Sequence, residues 1–123
     1  MKYQFIRLDG DYNRTGVYKI SIGPLFYIGS ASGNNTFYKR SGQHESKFNR
    51  GEHQSLMQLA AEEYGVITFE IIQYCEPDKM YCRIMEQNWL NTLGMSLNIR
   101  RAVSIKKWNL YWNEMAKKKS LAD

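Results

Sequence analysis

The sequence predicts a small α+β fold, a central sheet covered by helices in an α+β or three-layer arrangement. Three features point to it. The runs "VYKISI" (17–22) and "LFYIGS" (25–30) have strand character and are separated only by Gly23-Pro24. Pro ends pairing and Gly permits the turn, so the two runs form an antiparallel hairpin. A further run, "VITFEIIQY" (66–74), is rich in β-branched and aromatic residues, as strands are. Helical periodicity fills the intervals between and after these runs. At 123 residues, 43% of them apolar and 24% charged, the chain makes one soluble domain with a modest core.

Taken in order, "YQFIRL" (3–8) reads as a strand and "DGDYNRTG" (9–16) as a turn or loop. The hairpin follows, then the polar loop "ASGNN" (31–35) and Thr36, an N-cap residue type, opening a helix over 37–49. Gly42 weakens that helix by about 1 kcal/mol relative to Ala. Phe37, Arg40 or Ser41, His44 and Phe48 fall near one of its faces. A second helix over 54–64 carries the stripe Leu56, Leu59, Ala60 and Tyr64, with Gly65 as its C-terminal stop. After the strand at 66–74, Pro77 opens a helix running to Leu93 and stopped by Gly94. Its apolar set is Met80, Ile84, Met85, Trp89, Leu90 and Leu93. "SLNIRRA" is a loop or short extended piece. "SIKKWNLYWNEMAKKK" forms a last helix, with Ile105, Trp108, Tyr111 or Trp112, and Met115 on one side.

No apolar run approaches the roughly 18 residues of a membrane span. The N-terminus alternates apolar and polar residues and lacks the apolar stretch of an export signal. Cys75 and Cys82 are too few for a zinc site and are expected to be reduced, in a cytoplasmic protein. Residues 1–99 hold ten Lys/Arg and ten Asp/Glu, which cancel, so the net charge of +5 resides in the last 24 residues. Arg100, Arg101, Lys106, Lys107, Lys117, Lys118 and Lys119 there face only Glu114 and Asp123. Such a segment fits a polyanion such as nucleic acid or an anionic membrane surface, and equally a solvated tail.

Several polar residues sit oddly on this pattern. Glu86 lies within Met80, Ile84, Met85, Trp89 and Leu90, either at the solvated edge of the stripe or buried with a partner. Arg40 and His44 are one turn apart. Tyr18 and Tyr27 flank the hairpin turn, where half-buried aromatics are common. Each placement has an ordinary explanation by itself.

Together, "GVY…YIGS", "FYKRSGQH", "EH", "IMEQNWL" and "LNIRRA" resemble, in order and spacing, the GIY-YIG nuclease superfamily, and within it the catalytic domain of phage homing endonucleases. The resemblance covers about residues 14 to 100. It implies a three-stranded antiparallel sheet flanked by helices, in the order β-β-α-α-β-α, with residues 1–99 as the nuclease domain. Residues 100–123 are then a basic, Trp-containing C-terminal extension. It implies DNA hydrolysis at a single-Mg²⁺ site, with Mn²⁺ able to substitute, in a phage or mobile-element protein acting in a bacterial cytoplasm or nucleoid. Tyr18 and Tyr27 match the motif tyrosines, Arg40 the phosphate-binding arginine and His44 the histidine after it. Glu86 matches the metal-binding glutamate, with Gly29, His53 and Asn98 in support. Either Tyr18 or His44 serves as general base, and Tyr27 orients the water or a phosphate. Where many relatives carry a basic residue after the second motif, this chain has Ser32 and Asn34, so phosphate binding is either weaker or falls to Lys39.

With no second domain to choose a target, the expectation is modest sequence specificity in isolation, or specificity supplied by a homodimer or a partner protein, and the tail gives phosphate affinity without sequence readout. A restriction or repair nuclease, a catalytically silent nucleic-acid-binding module and a protein-docking module with a Trp-rich end are the alternatives.

Overall fold

A computed structural model describes residues 3–122 of the chain, with side chains to residue 119. Its elements are β1 (Gln4–Arg7), β2 (Thr15–Ile22), β3 (Leu25–Ala31), α1 (Phe37–Asn49), α2 (Ser55–Tyr64), β4 (Val66–Cys75), α3 (Lys79–Leu93) and α4 (Ile105–Ala122). β2 and β3 form the predicted hairpin, with Ile22 opposite Leu25. Gly23 supplies the positive φ of 58° that this tight turn needs.

The sheet departs from the expected three antiparallel strands. It has four, in the order β1-β4-β2-β3, and is mixed, because β1 runs parallel to β4 with Gln4 opposite Val66. Alternation in a sequence identifies a strand but not its partner. A parallel pair joined across β2, β3, α1 and α2 leaves no turn signature to read.

Two cores fill the two faces of the sheet. Tyr18, Ile20 and Ile22 of β2 meet Phe37 and Phe48 of α1 and Met57, Ala60 and Ala61 of α2. Val17 and Ile28 meet Cys82, Ile84, Met85 and Leu90 of α3, with Val103 and the half-buried Trp108, Tyr111 and Trp112 of α4 packed beside them. The period-2 alternation of β2 thus feeds two helical layers. Burying one large apolar side chain contributes about 1.5–3 kcal/mol, so Tyr18, Phe37, Phe48 and Phe69 dominate the first core.

Capping explains the helix ends. Thr36 accepts from the Lys39 amide, Gly65 is left-handed at φ 76°, and the Gly94 amide bonds back to Leu90. α3 begins later than Pro77 suggests. Asp78 is its N-cap, accepting from the Tyr81 amide at 2.7 Å, and Pro77 lies just outside.

The stripe of α2 is also rotated from the expected one. Met57, Gln58, Ala60 and Ala61 are buried, whereas Leu56, Leu59 and Tyr64 are exposed. The alanines permit close packing, and Gln58 is buried because its amide is fully used. Its Nε2 donates to Tyr3 Oη at 2.9 Å, and its Oε1 accepts the His53 N–H at 3.2 Å. On α3, Met80 and Leu93 are exposed, while Cys82 and Gln87 take buried places. No described helix is long and apolar enough to cross a membrane.

Candidate active site

The site is built where α1 crosses the β2–β3 hairpin. Tyr18 is fully buried, its ring stacked on Phe69 with centroids 4.6 Å apart. A register shift between β2 and β4 falls at Val17/Tyr18, a bulge of the kind that re-aims a side chain. The Tyr18 hydroxyl points at α1. Arg40 Nη2 donates to it at 2.9 Å, and His44 Nε2 lies 2.6 Å away. Arg40 and His44 reach one oxygen because i and i+4 share a helix face. Arg40 Nη1 also donates to Gln43 Oε1 at 2.6 Å, which fixes the guanidinium from its other side.

His53 continues the chain of contacts from the α1–α2 loop. Its Nε2 is 2.7 Å from His44 Nδ1, and its Nδ1 accepts the Gln54 backbone N–H at 2.8 Å. The two imidazole planes differ by only 11°, and Phe48 stacks on His53 at 4.4 Å.

Glu86 comes from α3 on the other side of the sheet edge. It is half-buried beside Ser30, whose side chain opposes the rise that burial causes in its carboxyl. The described ion pairs are Arg7–Glu45 and Arg50–Glu52, and neither involves Glu86. Tyr27, Gly29, Arg40, His44, His53, Glu86 and Asn98 all line one cleft of about 640 Å³. Tyr18 lies just beneath it, at Gly29. A Cβ on Gly29 would sit 2.5 Å from Tyr18 Oη, so the missing side chain is what leaves that oxygen approachable.

Burial sets most of the electrostatics. It pushes the Tyr18 phenol up, with Arg40 opposing, and raises Tyr27, with Glu86 adding to the shift. His44 is held well below the usual imidazole range by burial, then by Arg40 and His53. His53 is lowered to about 4, by burial and then by Lys47 and Arg40. Both rings are therefore neutral at pH 7. Burial raises Glu86, against Ser30, Arg83 and Arg40.

Asn98 supports the site through the backbone of β3. It does not bond Glu86. It accepts from the Ile28 amide at 2.9 Å and donates to the Ile28 carbonyl at 2.8 Å, pairing with the edge of β3 like a short extra strand. Among the basic residues, Arg100 and Arg101 line the cleft, whereas Lys39 does not, because its Nζ donates to the Asn34 carbonyl at 3.1 Å. Lys106, Lys107, Lys117, Lys118 and Lys119 lie on α4 outside the cleft. Lys47, Lys79 and Arg83 do line it and were not singled out from the sequence, although Arg83 is one turn before Glu86. Gln87 was also passed over. It is buried, and its Oε1 accepts the Ala102 N–H at 2.8 Å, tethering the loop of Arg100 and Arg101 to α3.

No family model and no curated protein sequence matches this chain. Two solved structures match its fold. The catalytic domain of the homing endonuclease I-TevI superimposes with a TM-score of 0.62 at 24% identity, over 71% of this chain and 99% of that domain. A mutant form of the catalytic domain of intron endonuclease I-TevI gives 0.61 and 23%, over 73% and 97%. The chain therefore has the fold of that catalytic domain, plus further residues beyond it.

Proposed function

We propose that this chain is an endonuclease of the GIY-YIG type that hydrolyses DNA phosphodiester bonds with one Mg²⁺ held at Glu86. The observation that carries the proposal is the convergence of the Arg40–Tyr18–His44 cluster and a half-buried carboxylate on one cleft rimmed by cations. The fold shared with the I-TevI catalytic domain supports it.

The residues present fit such an ion. A carboxylate raised by burial and without an ion pair among the described residues gains most from a bound cation, and Mg²⁺ asks for few protein ligands because it keeps several waters. Mn²⁺ fits the same oxygen donors. When bound, the ion supplies Lewis-acid stabilisation of the phosphate and the leaving oxygen.

The chain supplies the rest. Arg40, fixed by Tyr18 and Gln43, presents planar and permanently charged donors to a nonbridging phosphate oxygen. Tyr27, on the cleft wall, orients the attacking water or the phosphate. Tyr18 and His44 meet at 2.6 Å, and one of them receives the proton of that water. Lys47, Lys79, Arg83, Arg100 and Arg101 hold the flanking phosphates. The exposed lysines of α4 extend this footprint and add affinity without reading sequence. Phage or mobile-element origin and a cytoplasmic or nucleoid setting accompany the proposal.

Supercoiled plasmid incubated with wild type, Glu86→Ala and Arg40→Ala, each with Mg²⁺ or EDTA, tests it. Nicking that needs Mg²⁺ and is lost in both variants is the expected result. Absence of cleavage by wild type would instead favour a nucleic-acid-binding module that keeps the fold.

A further inference from the structure

The hydrogen bonds around the two histidines have only one consistent set of directions. The Gln54 backbone N–H can only donate, so His53 Nδ1, 2.8 Å away, must be a bare acceptor. A neutral His53 then carries its proton on Nε2. A doubly protonated ring would set two N–H groups face to face. His53 Nε2–H donates to His44 Nδ1 at 2.7 Å, which makes that nitrogen an acceptor in turn. The proton of His44 is thereby placed on Nε2, where it donates to Tyr18 Oη at 2.6 Å. Arg40 Nη2 donates to the same oxygen at 2.9 Å.

We infer that His53, anchored on the Gln54 amide, is a positioning residue that fixes His44 as a hydrogen-bond donor to Tyr18. His44 then holds the Tyr18 oxygen and does not take its proton. Two donors converge on Oη, and they oppose, without cancelling, the rise that burial imposes on the phenol. In the cleavage reaction Tyr18 first releases its phenolic proton to solvent, the phenolate oxygen held by Arg40 and His44 then takes the proton of the attacking water, and His44 keeps its own. The anchor is rigid. Phe48 stacks on the His53 ring, and Gln58 Oε1 accepts the His53 N–H at 3.2 Å. Gln54 is itself tied down, its Nε2 donating to the Leu97 carbonyl at 3.0 Å. The role in cleavage rests on the nuclease proposal above, whereas the proton positions do not.

Long-range proton–nitrogen correlation spectra of ¹⁵N-labelled protein at pH 7 test the assignment directly. The expected result is that both His44 and His53 carry their proton on Nε2. A His44 that carries it on Nδ1 in wild type would overturn the inference. Two variants separate positioning from packing. His53→Gln keeps an N–H donor for His44 Nδ1, whereas His53→Glu offers an acceptor there. The glutamate variant is expected to move the His44 proton to Nδ1 and slow single-turnover nicking about 100-fold relative to the glutamine variant. Protein in excess over DNA keeps weaker binding out of that comparison. Equal rates in the two variants would overturn the role in cleavage. If wild type cuts no DNA, the nuclease proposal fails, and the proton positions still stand or fall on the wild-type spectrum.

Discussion

The Gly29 backbone passes so close to Tyr18 that a Cβ on Gly29 would lie 2.5 Å from both Cζ and Oη of the ring. The ring cannot retreat, because Phe69 stacks behind it at 4.6 Å. Gly29→Ala should therefore displace the hydroxyl from Arg40 and His44 and destabilise the fold by about 1–3 kcal/mol, the usual cost of overpacking. Urea unfolding gives the stability loss, and plasmid nicking at a temperature where the variant remains folded gives the activity loss. A variant as stable and as active as wild type would mean that the hairpin and Tyr18 are not in this register.

Asn98 pairs with both backbone groups of Ile28 on the edge strand β3, which carries Tyr27 and Gly29 on either side. Asn98→Ala should cost about 1–3 kcal/mol through the unmade backbone bonds. Asn98→Asp can still accept from the Ile28 amide but cannot donate to its carbonyl, so it should recover only part of that loss. Thermal melts of the three proteins check the order.

His53 is lowered to about 4 in the folded protein from an ordinary 6.5. Between those values the unfolded chain binds more protons than the folded one, so stability falls as the solution is acidified. The contribution of His53 is intact above about pH 6.5 and is lost as pH falls through about 4. His53→Gln, which cannot titrate, should melt with a shallower pH dependence across that window. Parallel wild-type and variant curves would contradict the buried, neutral ring.

The lysines of α4 are best tested by charge and not by truncation, since Trp108, Tyr111 and Trp112 on the same helix pack against the second core. Changing Lys106, Lys107, Lys117, Lys118 and Lys119 to Ser should weaken DNA binding equally for unrelated sequences. Each phosphate contact removed should flatten the log–log salt dependence by about 0.9. An unchanged salt slope in a mobility-shift titration would show that α4 stays clear of the DNA.

The hairpin and the helix caps at Thr36, Gly65 and Gly94 were legible because each depends on local spacing or on a residue type with one strong conformational preference, whereas Arg40, His44, His53 and Glu86 were grouped with Tyr18 only through the family resemblance. The parallel pairing of β1 with β4 was not, since nothing local encodes a partner 62 residues away. The buried face of α2 was misjudged for a related reason. Leucine outranks alanine and glutamine on any hydropathy scale, yet Gln58 is buried because Tyr3 and the His53 amide use up its hydrogen bonds. Gln54, Gln87 and Asn98 likewise act through backbone groups distant in sequence. Lys79 and Arg83 join the cleft only because α3 packs with Glu86 toward β3.

If Glu86 holds the ion, DNA cleavage depends on a divalent cation through that one carboxylate. This dependence is tested most directly by nicking rates of wild type and Glu86→Gln across a Mg²⁺ titration. The amide keeps the shape of the side chain but removes the charge that would bind the ion. Wild type should nick only with Mg²⁺ and at a rate that saturates, and Glu86→Gln should be slower by about 100-fold or more at every concentration. Equal rates in the two proteins, or undiminished wild-type cutting in EDTA, would contradict it.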